Sequence, residues 1–304
     1  MKRRPGPSRF TALRGQWPYH VMLLPCVAVV VVFSYIPLYG VIIAFQRYNI
    51  ALGFASPWVG LANFRHIFGQ SHFIRTIWNT LYIAVFKIIG GIIVPVTFAL
   101  LLNELRHGGI KKAFQTLVYL PHFLSWTLMA GILIDILALD GIVNIALRAV
   151  GLASVQFLSD PVVFPWTMIV TDIWKGFGFG TVVYLAALTS IDPGLYESAI
   201  VDGAGRWKQT LYITLPLMSP TIVLMTVLSL GSILNAGFDQ IYNLYSPIVY
   251  TSGDIIDTYV FRMGIQQAQY SIGTAVGLFK SLISAILIGT SQILADKLAG
   301  YRVF

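Results

Sequence analysis

Long apolar runs alternate with short polar stretches along almost the whole chain. A membrane-crossing helix takes about 20 predominantly apolar residues. Six runs reach that length: 21–45, 76–102, 114–137, 162–188, 213–236 and 271–294. The pattern predicts an all-α polytopic membrane protein with six transmembrane helices. An even number of crossings puts both termini on one side. Residues 1–20 form a basic N-terminal segment, residues 21–304 a single transmembrane unit, and residues 191–216 an organised polar loop within it.

Lysine and arginine orient such a chain, because they accumulate in cytoplasmic segments. With the N-terminus inside, the inner segments hold Lys2, Arg3, Arg4, Arg9, Arg14, Arg106, Lys111, Lys112, Arg206, Lys208, Lys297 and Arg302. The outer ones hold Arg47, Arg65, Arg75, Arg148 and Arg262. Twelve against five places both termini, and the 191–216 loop, in the cytoplasm. The outer connections carry Tyr48, Phe54, Trp58, Phe64 and Phe68, aromatic anchors suited to a membrane–water interface, and a short apolar stretch at 141–147. None is long enough for an independent domain.

Composition agrees. The chain has 304 residues, 57% hydrophobic and 11% charged, where a soluble domain carries about 25% charge. The net charge of +8 does not indicate nucleic acid, since the basic residues flank the apolar runs instead of forming a patch with interleaved aromatics. The N-terminal basic cluster resembles the start of a signal peptide, but the following run is long enough to span and lacks a small-x-small cleavage site. Cys26 follows Pro25 and precedes most of that run, which does not fit a lipoprotein box. As the only cysteine, it excludes an internal disulfide framework.

The 191–216 loop is more elaborate than a turn between helices requires. Asp192 and Pro193 suit a helix start. Residues 195–202 form a short helix with Tyr196, Ala199 and Ile200 on one face. Gly203 and Gly205 permit the positive φ of a sharp turn. A second short helix follows over 206–212, and Pro216 sits early in the fifth span, where a missing N–H costs little. On these features alone, the loop also reads as an interfacial amphipathic turn.

The spacing narrows the choice. Glu197-Ser198-Ala199, three residues, Gly203, nine residues, Ile213, one residue and Leu215-Pro216 resembles the EAA loop of binding-protein-dependent ABC importer permeases. Ser198, in place of the family's central alanine, is the one departure. Asn79-Thr80, Asn103-Glu104, Leu120-Pro121 and Asp172-Ile173-Trp174 are similar to the carbohydrate-importing, maltose-like branch, and the resemblance runs from about residue 17 onward. It implies a type I importer permease in a bacterial cytoplasmic (inner) membrane. Glu197, Ser198, Ala199, Asp202, Gly203, Ala204, Gly205, Leu215 and Pro216 would be coupling residues. The implied partners are a second homologous permease, two ATP-binding cassette subunits and an extracytoplasmic solute-binding protein. ATP and magnesium would sit on the ATPase subunits, whose closure drives alternating access. This chain itself carries no phosphate-binding Gly-x-x-x-x-Gly-Lys motif and no catalytic signature, so it is expected to be non-enzymatic and to hold no cofactor or metal. The histidines His20, His66, His72, His107 and His122 are scattered.

Ionisable residues inside a span are costly and face a cavity or a partner. Lys87, Asp135, Asp172, Lys175 and Lys280 fall in the runs. Asp172 and Lys175, three apart, share a helix face and are able to pair. They sit in Asp172-Ile173-Trp174-Lys175-Gly176-Phe177-Gly178-Phe179-Gly180, where three glycines open or bend the helix, or else let neighbours pack closely. The candidate sugar path comprises Asp172, Trp174, Lys175, Phe177, Phe179 and Tyr184, with Asn235, Asp239 and Gln240 at the outer end of the fifth span. Rings stack on the apolar faces of sugars, and amides and charges bond hydroxyls. An internal Asp–Lys pair and ordinary loop polarity explain the same residues equally well. Lys87 and Lys280 are expected to snorkel. An oligosaccharide, with Lys175 as a weak pointer to acidic sugars, is the expected cargo. A secondary transporter would show inverted repeats, and an intramembrane enzyme would show clustered acids; the chain shows neither by inspection.

Overall fold

The computed structural model describes the backbone of residues 9–105 and 107–299, with side chains over 17–105 and 107–290. Lys2, Arg3, Arg4, Arg106 and Arg302, and the side chains of Arg9, Arg14 and Lys297, lie outside the described residues. Among those described, the protein is helical and its extended pairing is confined to the isolated bridges Gln46–Trp58 and Asn49–Gly53.

Helix α1 (Arg9–Val30) continues through a π turn (Val31–Tyr35) and a 3-10 stretch (Ile36–Phe45). Pro37 explains the change of winding, because its ring clashes with the carbonyl four residues back and it has no N–H to give. After α2 (Ala62–Phe68) comes α3 (Ser71–Glu104), the longest element. The third apolar run is not one helix. It splits into α4 (Gly108–Tyr119), a 3-10 turn (Leu120–Phe123) and α5 (Trp126–Leu137). Pro121 interrupts the ladder and Ser125 caps the restart, accepting from the Leu128 N–H at 3.3 Å. The outer stretch becomes α6 (Ile142–Ala149).

Helix α7 (Phe164–Thr189) is continuous across its three glycines, so they do not open it. Gly178 instead lets the Val118 backbone close in, and Gly180 faces the Pro95 ring. Helix α8 (Pro193–Val201) leads to α9 (Arg206–Gln209), a π turn (Thr210–Thr214) and α10 (Leu215–Leu230). The 206–212 segment is therefore the first turns of the fifth long helix and not a separate one. The π turn accommodates Pro216, whose ring would otherwise meet the Tyr212 carbonyl. Helix α10 stops at Leu230, six residues before the apolar run ends. Five short helical pieces follow: α11 (Phe238–Leu244), a 3-10 turn (Pro247–Val249), α12 (Tyr250–Gly253), α13 (Ile256–Val260) and a π turn (Phe261–Gln266). Helix α14 (Tyr270–Ala299) closes the chain as described.

Contacts give the directions. Lys87 meets Asp172 and Pro95 meets Gly180, so α3 and α7 run parallel. Lys175 meets His122 and Gly178 meets Val118, so α4–α5 runs antiparallel to α7. Glu104 meets Arg206 and Lys87 meets Ala236, so α10 runs antiparallel to α3. One end of the bundle thus carries the α8 hairpin, and the opposite end carries 231–269.

Five helical stretches are long and apolar enough to cross a membrane: Trp17–Phe45, Ser71–Glu104, Trp126–Ala149, Arg206–Leu230 and Tyr270–Thr290. Helix α7, at 26 residues about 39 Å long, has the length but is diluted by Asp172, Lys175 and its glycines. Two apolar cores fill the end away from the hairpin, one around Phe164, Met168, Met129 and Ile241, the other around Phe73, Tyr259 and Val276. A smaller one, around Val96, Ala99, Tyr184 and Met218, lies nearer the hairpin.

Candidate functional site

The hairpin is a built element. The Asp192 carboxylate accepts from the Gly194 N–H at 2.9 Å and starts α8, with Pro193 in the first turn. The helix ends in a Schellman closure: Ala204 N–H donates to Ala199 C=O at 2.8 Å and Gly203 N–H to Ile200 C=O at 3.0 Å. That closure needs a left-handed residue, and Gly203 supplies it at φ +77°. Gly205, at φ −68°, does not adopt a positive φ; it stands at the N-cap of α9. The Glu197-Ser198-Ala199 and Gly203 spacing is therefore one helix end: Ala199 gives the carbonyl that the turn closes on.

Two contacts close the hairpin on itself and a third ties it to α3. Tyr196 and Thr214 share a hydroxyl hydrogen bond at 3.0 Å, and Gln209 Nε2 donates to Ala204 C=O at 2.8 Å. Arg206 pairs with Glu104, the last residue of α3, at 2.5 Å, with both side chains about half exposed. Between α3 and the hairpin lies a cavity of about 490 Å³, edged by Asn103, Glu104, Tyr196, Arg206 and Gln209. Tyr196 and Ala199 are half-buried, whereas Ile200 on the predicted face is exposed. Val201 is 87% exposed, Tyr212 77% and Trp207 75%. Glu197, Ser198, Asp202, Gly203 and Gly205 are also exposed, Ala204 and Leu215 are half-buried, and Pro216 is exposed.

The second site is a polar cavity of about 230 Å³ between α3, α7 and the break after α10. Lys87, Asp172, Asn235, Ser229 and Ser232 line it. Lys87 is buried, not snorkelling. It ion-pairs with Asp172 at 3.4 Å, donates to the Ala236 carbonyl at 2.8 Å, and donates to Gln240 Oε1. The Ala236 carbonyl is one that an uninterrupted helix would have satisfied, so the lysine completes the broken ladder. Gly237 adjoins it at φ +95°, and a Cβ there would meet Lys87 Nζ at 2.8 Å.

Asp172 therefore pairs across 85 residues of sequence and not with Lys175. Lys175 turns away, donating to the His122 carbonyl at 3.1 Å and lying over the Trp126 ring at 5.1 Å. Phe179 stacks on His122 with centroids 4.2 Å apart, and Phe177 meets Phe98 edge-on. Trp174 is exposed. Tyr184 is 2% exposed and sits in the core near the hairpin. Gln240 is fully buried; its amide donates to Met168 C=O and Thr171 Oγ1, both at 2.8 Å. Asn235 and Asp257 hold Lys280 at 2.8 and 2.5 Å, so that lysine too is paired instead of snorkelling. Asp239 is exposed. The structure brings Asp172 and Asn235 to one cavity with Lys87, and leaves Lys175, Phe177, Phe179 and Tyr184 elsewhere.

Sequence reasoning passed over a third cluster, at the end opposite the hairpin. Buried Asp254 accepts from Arg262 at 2.5 and 3.0 Å and from Thr258 at 2.7 Å, and pairs with His72 at 2.9 Å. Burial alone would lower the Arg262 guanidinium, but hydrogen bonding and attraction to Asp254 outweigh it and raise it. Burial also pushes the neighbouring Tyr245 phenol up. Tyr259 donates to Gln70 at 3.0 Å, so the segment is tied to the start of α3.

Residues 91–300 match the family described as binding-protein-dependent transport system inner membrane component. The chain is similar to the protein LplB of Bacillus subtilis (strain 168), 41% identical over 96% of this chain and 92% of that one. It is 39% identical to the polygalacturonan/rhamnogalacturonan transport system permease protein YteP of the same organism, over 91% of this chain and 87% of that one. Its fold is similar to that in a crystal structure of a bacterial ABC transporter involved in the import of the acidic polysaccharide alginate. The TM-score there is 0.88 at 39% identity, covering 95% of this chain and 98% of the other. A second structure, of a bacterial alginate ABC transporter in complex with alginate pentasaccharide-bound periplasmic protein, gives TM-score 0.89 at 38% identity over 98% and 100% of the two chains.

Proposed function

Because this chain belongs to the family of binding-protein-dependent transport inner membrane components, as a permease of a carbohydrate ABC importer, we propose that its α8 hairpin is the dock for a cytoplasmic ATPase subunit. The observation that carries this is the exposed apolar surface of Val201, Trp207 and Tyr212 on a hairpin closed by Gly203 and anchored through Tyr196 and Arg206. Glu197, Ser198, Ala199, Asp202 and Gly203 to Gly205 shape that dock, and Leu215-Pro216 carry it into the fifth helix.

In this reading the chain crosses a bacterial cytoplasmic membrane six times, with both termini inside. The five apolar stretches and the more polar α7 supply the crossings, and the alternating directions of α3, α4–α5, α7 and α10 support it. The protein does no chemistry. ATP and magnesium belong to two ATPase subunits, a second permease chain completes the pore, and an extracytoplasmic solute-binding protein delivers cargo.

The cargo we propose is an acidic oligosaccharide. The alginate and polygalacturonan/rhamnogalacturonan systems named for similar proteins support it. The polar cavity lined by Asp172, Asn235, Ser229 and Ser232 is its resting place in this chain: a carboxylate, an amide and two hydroxyls are suited to sugar hydroxyls, with Lys87 holding Asp172 in place. ATP-driven closure of the ATPase pair would move the docked hairpins and rock the helices between inward-open and outward-open states, a rigid-body change biased by a ligand that prefers one state.

The test is ATPase activity of the reconstituted complex. Binding protein loaded with sugar is expected to stimulate the wild type, and Glu197→Lys and Gly203→Asp are expected to lose that stimulation. Variants that assemble and hydrolyse like wild type would reduce the hairpin to a turn.

A further inference from the structure

Lys280, on α14, does not line the polar cavity, but it bonds a residue that does. Its Nζ donates to Asn235 Oδ1 at 2.8 Å and to Asp257 Oδ1 at 2.5 Å. An ammonium has donors and no acceptor, so it takes the oxygen of an amide and never the nitrogen. The orientation of the Asn235 amide is thereby decided by its partner. Its oxygen is held by a group outside the cavity lining. Its two N–H groups, which have no partner among the described residues, are left for the cavity.

The other polar side chains of that lining have no proton to give. Lys87 has three partners for three protons: Asp172, the Ala236 carbonyl and Gln240 Oε1. Ser229 Oγ donates to the Met225 carbonyl at 2.8 Å, and Ser232 Oγ to the Ser229 carbonyl at 3.0 Å, so both hydroxyls present lone pairs. Asp172 is an acceptor. The amide of Asn235 is therefore the side-chain donor in a lining of side-chain acceptors. An ion pair joining α14 to α13 needs Asp257 alone. The added contact to Asn235, an exposed residue in the break after α10, sets the direction of a donor.

We propose that Lys280 is a positioning residue for cargo: anchored by Asp257, it fixes the Asn235 amide so that its N–H groups face a site otherwise built of acceptors. This rests on the sugar-import reading above. The matching ligand edge gives several protons and takes one. Neighbouring hydroxyls of a sugar unit do this, donating to Asp172, Ser229 and Ser232 and accepting from Asn235. Without Lys280 the amide turns, adds one more acceptor, and leaves the sugar oxygens with no side-chain donor.

The experiment uses the full complex in proteoliposomes with saturating, loaded binding protein, and pentasaccharides of alginate and of galacturonate as probes. It reads sugar moved per ATP hydrolysed, which separates a lost hold on cargo from a damaged complex. Lys280→Met and Asn235→Leu are each expected to lower that ratio about tenfold, the scale of one hydrogen bond, while stimulated ATPase activity stays within about twofold. The double variant is expected to match either single one, because Lys280 acts through Asn235. Lys280→Arg, also donor-only, should restore the wild-type ratio. Asn235→Asp keeps a partner for Lys280 but removes the N–H groups, and should fall as far as Asn235→Leu; it carries the test if Lys280→Met does not assemble. A wild-type ratio in Asn235→Asp, a further loss when Lys280→Met is added to Asn235→Leu, or ATPase activity and uptake falling together in Lys280→Met would each overturn the assignment and leave the importer reading in place. A wild-type complex that imports neither probe overturns the acidic-sugar reading and this assignment with it.

Discussion

The hairpin at 191–216 and the segment at 231–269 are both places where the chain leaves a long helix and turns on a left-handed glycine, Gly203 in one and Gly237 in the other. Their surroundings differ. In that segment the polar groups are answered from within the chain: buried Lys87 with Asp172, Gln240 and Ala236; buried Asp254 with Arg262, Thr258 and His72; half-buried Lys280 with Asp257 and Asn235. Around Gly203 the turn is closed, but its large apolar side chains remain in the open and its ion pair to α3 is half exposed. The first arrangement holds a shape alone. The second, in the reading proposed above, keeps a shape ready for an ATPase subunit. That reading uses both, one end keeping a cavity in register and the other passing on a partner's movement.

The contrast can be broken in graded steps. Lys87→Met is expected to cost most, about 3–5 kcal/mol, because it strands Asp172 and leaves the Ala236 carbonyl without its donor. Thermal unfolding in detergent reads this, and a loss below about 1 kcal/mol would mean that water already answers those groups. Asp254→Asn should cost about 1.5–3 kcal/mol by weakening charged hydrogen bonds to Arg262, seen as a lower midpoint in the same melt. Gly203→Val should cost about 1–2 kcal/mol through the left-handed φ, confined to the hairpin. Hydrogen exchange at the Gly203 and Ala204 amides would speed up while α3 stays protected; equal exchange in both would show that the closure is not what holds the turn. Arg206→Ala is the mildest, at or below about 1 kcal/mol and fading as salt rises. A large, salt-independent loss there would move the hairpin into the first class.

What could be read from the sequence follows from how local each cause is. The extents of α3, α7 and α14 follow apolar runs, because burial in lipid or core acts residue by residue. The hairpin was legible because a Schellman turn, a proline start and a glycine are all set within 25 residues. Three features were hidden. The third span breaks at Pro121 and Ser125, and although both signals were present, the apolar run hides them. The fifth ends at Leu230 because Gly231-Ser232 and Gly237 stop the helix inside an apolar stretch. The partners of the charges were furthest from view: spacing offers Lys175 for Asp172, but α3 and α7 pack side by side and deliver Lys87. Asp254, Arg262 and His72 are 8 and 182 residues apart by chain, and only the fold brings them together.

The central claim is that the hairpin is an inward-facing dock. Cys26 is the only native cysteine, so Cys26→Ser with Val201→Cys gives a single reporter at its most exposed apolar position. Labelling by a membrane-impermeant maleimide, in oriented vesicles with and without the ATPase subunits, measures side and occupancy together. The account predicts labelling from the cytoplasmic face only, and protection when the ATPase subunits are bound. Labelling from the outer face, or labelling from the cytoplasmic face that the ATPase subunits leave unchanged, would contradict it.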